Sequence, residues 1–134
     1  MSDARGTAVP SWFWIVAGLA LLWEAFGCYT YVSQSLVPDA QRVGGYATMA
    51  SWQWGVFAIA VWSGLIGAVL LLLRNRWATP LLTVSLLFAA VQYGVAAMQG
   101  GIDAEARPIA VAVLVVGVGL VIFASRARRR GWLR

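Results

Sequence analysis

The chain has no histidine, no lysine and a single cysteine in 134 residues, and charged side chains make up only 11% of it. Each shortage excludes a class of chemistry. Without histidine the usual ligands for haem, zinc and copper are missing, and one cysteine cannot assemble a thiolate cluster. Cys28 has no second cysteine for an internal disulfide. A serine or cysteine nucleophile would lack an imidazole base beside it. Paired carboxylates fail as well, because Asp39, Asp103 and Glu105 fall between the apolar stretches, far in depth from Glu24. No cofactor, no metal and no enzymatic activity are expected. The lack of lysine is read as genome base composition and carries no function.

What the chain does have is apolar surface. Hydrophobic residues form 61% of the sequence, with a mean hydropathy of +0.77, whereas soluble domains devote about a quarter of their residues to charge. Spans are expected over 12–34, 53–73, 77–98 and 108–125, each near the roughly 20 residues that cross a hydrocarbon core of about 30 Å. Pro38 with Gly44 and Gly45, then Arg74-Asn75-Arg76, then Gly100-Gly101 with Pro108 punctuate the intervals. The spans must be helices, since an open sheet edge in lipid leaves backbone groups unsatisfied. The expectation is an all-α integral membrane protein with one four-helix domain over 1–134, without internal repeats or a soluble catalytic domain.

Arginine positions predict the orientation, because cytoplasmic loops collect positive charge. Arg5, Arg74, Arg76, Arg126, Arg128, Arg129, Arg130 and Arg134 fall on one side, and Arg42 and Arg107 on the other. Both termini are therefore expected in the cytoplasm of a bacterial inner-membrane protein. Trp12, Trp14, Trp77 and Trp132 would sit at the inner interface and Trp52 and Trp54 at the outer one. Trp23 and Trp62 lie deeper. The first span is expected to be retained: it is longer than a signal-peptide core and carries Glu24 inside its apolar run. Arg74, Arg76, Arg126, Arg128, Arg129 and Arg130 are expected to anchor helix ends at lipid headgroups, with no nucleic-acid partner.

Small and polar residues fall on definite faces. On the first span, Ala17, Ala20, Glu24, Gly27, Cys28, Tyr31 and Gln34 recur at helical spacing, and on the third Ser85, Ala89, Gln92, Ala96 and Gln99 do the same. The second offers Ala60, Gly64 and Ala68, with Ser63 and Gly67 alongside, a spacing that lets helices approach closely. The fourth is aliphatic apart from Gly117 and Gly119. These patterns predict a packed core of the first three helices with the fourth beside it. Tyr31, Gln53 and Gln92 would lie outward of Glu24, lining a polar cleft or serving as interhelical hydrogen-bond glue.

Glu24 is the one charged side chain inside any of these stretches. An acid at mid-membrane costs about 2.5–3.5 kcal/mol on insertion scales. Two readings stand side by side. One is a protonated carboxyl bonded to Tyr31, Gln92 or a backbone carbonyl. The other is an anion awaiting a cation from a substrate, a proton in transit or another subunit.

The chain resembles a group of small bacterial inner-membrane proteins of about this length, most without an assigned activity and some labelled sugar transporter. The resemblance is carried by the run from Trp12 to Trp23 with Gly27-Cys28, by the run from Leu71 to Pro80 with Ser85-Leu86, and by Gly131-Trp132-Leu133-Arg134. It implies four membrane helices and brings no mechanism with it. In that group the position after Trp23 is commonly asparagine, so Glu24 is a departure. Three functions follow in order: an accessory or scaffold subunit docking on other membrane proteins through helix contacts, a homo-oligomeric small-solute or proton-coupled transporter, and an intramembrane enzyme.

Overall fold

The computed structural model describes residues 9–38, 41, 49–98 and 107–133. Its elements are all helical: α1 (Ser11–Leu36), α2 (Ser51–Leu72), α3 (Ala78–Met98) and α4 (Arg107–Arg129). All four are long and apolar enough to cross a membrane. The inferences drawn for Arg5, Asp39, Arg42, Gly44, Gly45, Gln99, Gly100, Gly101, Asp103, Glu105 and Arg134 lie outside the described residues.

Local chemistry sets the helix ends. Pro10, its φ already fixed by the ring, caps α1 and accepts the Phe13 amide at 3.0 Å. At the other end Val37 is extended (φ −83°, ψ 152°), the conformation a following proline imposes, so α1 runs to Leu36 and stops before Pro38. Between α2 and α3, Asn75 Oδ1 accepts the Trp77 amide at 2.9 Å and starts the next helix. The fourth helix runs to Arg129, past the expected end at 125, with Arg126, Arg128 and Arg129 in its last turn. Cations there complement the helix dipole, and their aliphatic stems let the charged heads reach water.

Packing follows chain order: α2 lies against α1 and α3, and α3 against α4. The small face of α2 is what permits this. Ala60, Ser63, Gly64, Gly67 and Ala68 are all buried. A Cβ added at Gly67 would meet Leu82 Cγ at 2.9 Å and the Leu82 backbone nitrogen at 3.2 Å, so α2 and α3 approach nearly backbone to backbone. The fourth helix seats Gly117 on Leu86 of α3, where a Cβ would meet Leu86 Cδ1 at 2.8 Å.

α4 returns to α1 at the arginine end. Phe13 is fully buried and stacks on Phe123 at 5.5 Å, and Trp132 meets the rings of Phe13 and Trp12 edge-on at 5.9 and 5.5 Å. Each such pair contributes about 0.5–1.5 kcal/mol beyond area burial. Trp132 gets there because the chain reverses at Gly131 (φ 76°). The Trp132 amide donates to the Ala127 carbonyl at 2.9 Å and the Gly131 amide to that of Arg128 at 3.1 Å. This is a Schellman close, which satisfies the end carbonyls and needs a left-handed residue. Trp132, expected at the lipid interface, is instead only 6% exposed, as is Leu133.

The α2–α3 turn uses the same motif with a non-glycine residue. Arg74 holds φ 57°, its amide donating to Leu71 and the Asn75 amide to Leu70. An L-residue other than glycine in this region costs roughly 1–2 kcal/mol. The compensation is a reach across the bundle: Arg74 Nε donates to the Trp132 carbonyl at 2.7 Å. Arg74, expected to anchor a headgroup, therefore ties the 131–133 segment to the α2–α3 turn.

Candidate functional site

Where α1 crosses α2 at mid-length, Glu24 leaves the inward stripe of α1 and lays its carboxyl on Gly64. The fit is so close that a Cβ at Gly64 would overlap the Glu24 carboxyl, at 2.7 Å from Cδ and 2.8 Å from Oε1 and nearer still to Oε2. Oε2 is fully buried and has no hydrogen-bond partner among the described residues. An uncompensated acceptor of this kind normally costs a substantial part of its hydration. A Cβ at position 64 would thus have to displace the Glu24 carboxyl, the far end of a flexible side chain.

Around this contact, side chains from all three core helices donate to one turn of α2 backbone. Cys28 Sγ donates to the Val61 carbonyl at 3.3 Å, and Ser85 Oγ of α3 to the Ala60 carbonyl at 2.6 Å. Ser63 Oγ donates to the Ile59 carbonyl and more weakly to Ala60 at 3.4 Å. These donors are satisfied by α2 carbonyls, so none is turned to Glu24. The result is a polar belt at mid-bundle with one acid in it and, among the described residues, no cation.

On the side of Glu24 away from the arginine end lies an aromatic group. Tyr31 meets Phe57 at 5.3 Å, Trp54 at 6.0 Å and Trp62 at 6.5 Å, each close to edge-on. This gives Trp62 a place in the bundle despite its depth. Gln92 donates Nε2 weakly to Met49 Sδ at 3.6 Å, and its Oε1 is buried without a partner among the described residues. Tyr31 and Gln92, the two side chains expected to bond the Glu24 carboxyl, do not supply a partner for its Oε2.

Gln53, expected to line a cleft or to bond between helices, also acts at the start of its own helix. It is 6% exposed, and its Oε1 accepts the Ala50 amide at 2.8 Å, a glutamine at the third position of α2 folded back over the helix start. The sequence carries a signal for this, since a Gln three residues into a helix is a recognised partner for the preceding amide. Gly27 packs on Val61, where a Cβ would sit at 3.5 Å. Arg76, Arg126, Arg128, Arg129 and Arg130 are exposed at one end of the bundle.

The arrangement therefore brings together Glu24, Gly64, Cys28, Ser63 and Ser85, and leaves Tyr31, Gln53 and Gln92 in separate settings. A single half-buried acid, with one oxygen fully buried and without a partner among the described residues and its carboxyl laid on a glycine, is suited to binding and releasing a proton or a cation. The chain matches no protein-family model, no curated protein and no solved structure.

Proposed function

We propose that this protein is a multi-pass protein of the bacterial inner membrane, with both termini in the cytoplasm, that carries a small solute in a step coupled to protonation of Glu24. It works as a homo-oligomer, since four helices enclose little volume alone. The observation that carries the reading is Oε2 of Glu24, buried against Gly64 and without a partner among the described residues. A neutral acid tolerates that seam, whereas a carboxylate is driven towards a cation or water. The two forms thus favour different α1–α2 packings, and a differential of this kind is what a ligand needs to shift a conformational equilibrium. The carboxyl rests on α2 of its own chain rather than facing outward, which favours a proton or solute cation over a partner subunit's arginine. The sugar-transporter label of the group it resembles names the first solutes to try.

In proteoliposomes with an imposed pH gradient, uptake of a panel of monosaccharides and disaccharides is expected to follow the gradient. Glu24→Gln is expected to abolish that dependence. Gradient-independent uptake, or flux through the Glu24→Gln variant equal to wild type, would remove the mechanism.

The accessory-subunit reading stands second and is favoured by one observation. Between 11% and 33% of the apolar window of each helix is buried within the bundle, which leaves broad faces open to other helices. Native mass measurement after mild extraction separates the two: a stoichiometric partner protein supports the accessory role, and a clean homo-oligomer supports the carrier.

A further inference from the structure

At the arginine end, the last turns of α4 and the first turn of α1 border an open groove of about 390 Å³. Gly119, Ile122 and Phe123 line its apolar part, Arg126 and Arg130 its polar part, and Trp12 and Trp132 complete it. A neighbouring groove of about 380 Å³ shares Trp12, Arg130 and Trp132 and continues to Val9 and Pro10. Volumes at the small end of ligand sites, about 300–1,000 Å³, suit a headgroup with the first part of its chain rather than a whole enclosed amphiphile.

No carboxylate among the described residues neutralises the charge here. The one that they include, Glu24, lies about three turns along α1 from Trp12. The Arg130 amide donates to the Arg126 carbonyl at 3.0 Å, so the two residues stand one turn apart at the end of α4, and both line the groove, where two guanidinium groups complement the oxygens of a phosphodiester. The wall is also held in place beforehand. The Arg130 guanidinium lies 5.3 Å over the Trp132 ring, and Trp132 is fixed by Arg74, by the Ala127 carbonyl and by Phe13.

Towards the middle of α4 the groove becomes apolar. Gly119 has no atom within 4 Å of where a Cβ would stand, so it leaves a furrow beside Ile122, which is 49% exposed. A cationic pocket opening onto an aliphatic furrow, flanked by indoles, complements a molecule with an anionic head and a hydrocarbon tail. We propose that this groove binds one anionic phospholipid, with its phosphate on Arg126 and Arg130, its glycerol against Trp12 and an acyl chain along Gly119 and Ile122. The site rests on insertion of the chain in a bilayer and is independent of transport and of Glu24.

The test is native mass spectrometry of the full chain in detergent, titrated with phosphatidylglycerol or with phosphatidylcholine of the same acyl chains. A single phosphatidylglycerol adduct is expected to persist where phosphatidylcholine is lost. The pair Arg126→Gln and Arg130→Gln is expected to lower its retention on the order of tenfold, while Arg128→Gln with Arg129→Gln, the same loss of charge, changes it by less than about twofold. Gly119→Leu keeps every arginine and fills the furrow, and it too is expected to lower retention. Equal loss from both arginine pairs would reduce the effect to general charge attraction and overturn the site, as would equal retention of the two lipids or an unaltered adduct in Gly119→Leu. Circular dichroism of each variant confirms that the helices are intact.

Discussion

At the arginine end, Phe13 lies fully buried under Phe123 and Trp132, and a guanidinium bonds the 131–133 segment to the α2–α3 turn. At mid-bundle, by contrast, α1 meets α2 through a carboxyl resting on a glycine and a thiol donor to a helix carbonyl, and α3 meets α2 through a hydroxyl donor. The first region combines large apolar rings with a charge-assisted bond, arrangements with little to gain from rearranging. The second holds a buried acceptor in a seam of small residues, where a change of one proton alters the fit. On the proposed coupling, stability and responsiveness lie about three turns apart along α1.

Removing the ring that centres the stitched end tests the contrast most strongly. Phe13→Ala is expected to destabilise the fold by about 3–5 kcal/mol, read as a lower midpoint in detergent-induced unfolding. A loss comparable to that of an exposed residue would show that the aromatic cluster does not hold the end together. Gly64→Ala comes next, with an expected cost of about 1–3 kcal/mol from overpacking against the carboxyl. Adding Glu24→Ala should recover most of that loss, and an additive double variant would separate the two residues.

Smaller effects sharpen the comparison. Arg74→Asn keeps a residue that tolerates the left-handed backbone but cannot reach Trp132. The expected net cost is about 1 kcal/mol, with faster hydrogen exchange of the Trp132 amide. Unchanged exchange would mean that the Schellman turn alone secures the segment. Ser85→Ala at the belt is expected to cost least, about 0.6 kcal/mol, as single interhelical hydrogen bonds within membranes do. A cost above that of Arg74→Asn would reverse the assignment of the two regions.

Much of this is legible in the sequence because helix periodicity acts locally. The inward stripe of α1 follows from three- and four-residue spacing, and the buried set Ala60, Ser63, Gly64, Gly67 and Ala68 follows from small residues one turn apart. The pairing of Glu24 with Gly64 is not legible, because it depends on the register and crossing of two helices, which no single-helix pattern encodes. Depth alone does not show the bond from the Ala50 amide to Gln53, which follows from its position in the first turn of α2. The fate of Trp132 is hidden for a related reason. Its sequence context is that of a headgroup anchor, and only the left-handed Gly131 and the distant Arg74 turn it under the bundle.

The Arg74 to Trp132 bond joins positions separated by 58 residues, and this has a consequence for the order of folding. The α2–α3 hairpin closes locally and quickly, but a strained arginine at its turn finds its acceptor only after α4 has crossed and reversed. Contacts of such sequence separation form late, after their loop-closure entropy has been met. Until then the hairpin carries an unrelieved left-handed residue and Phe13 lacks its lid. Breaking the Arg74 to Trp132 bond is therefore expected to loosen the α2–α3 turn and the 131–133 segment together, far apart though they are in the chain.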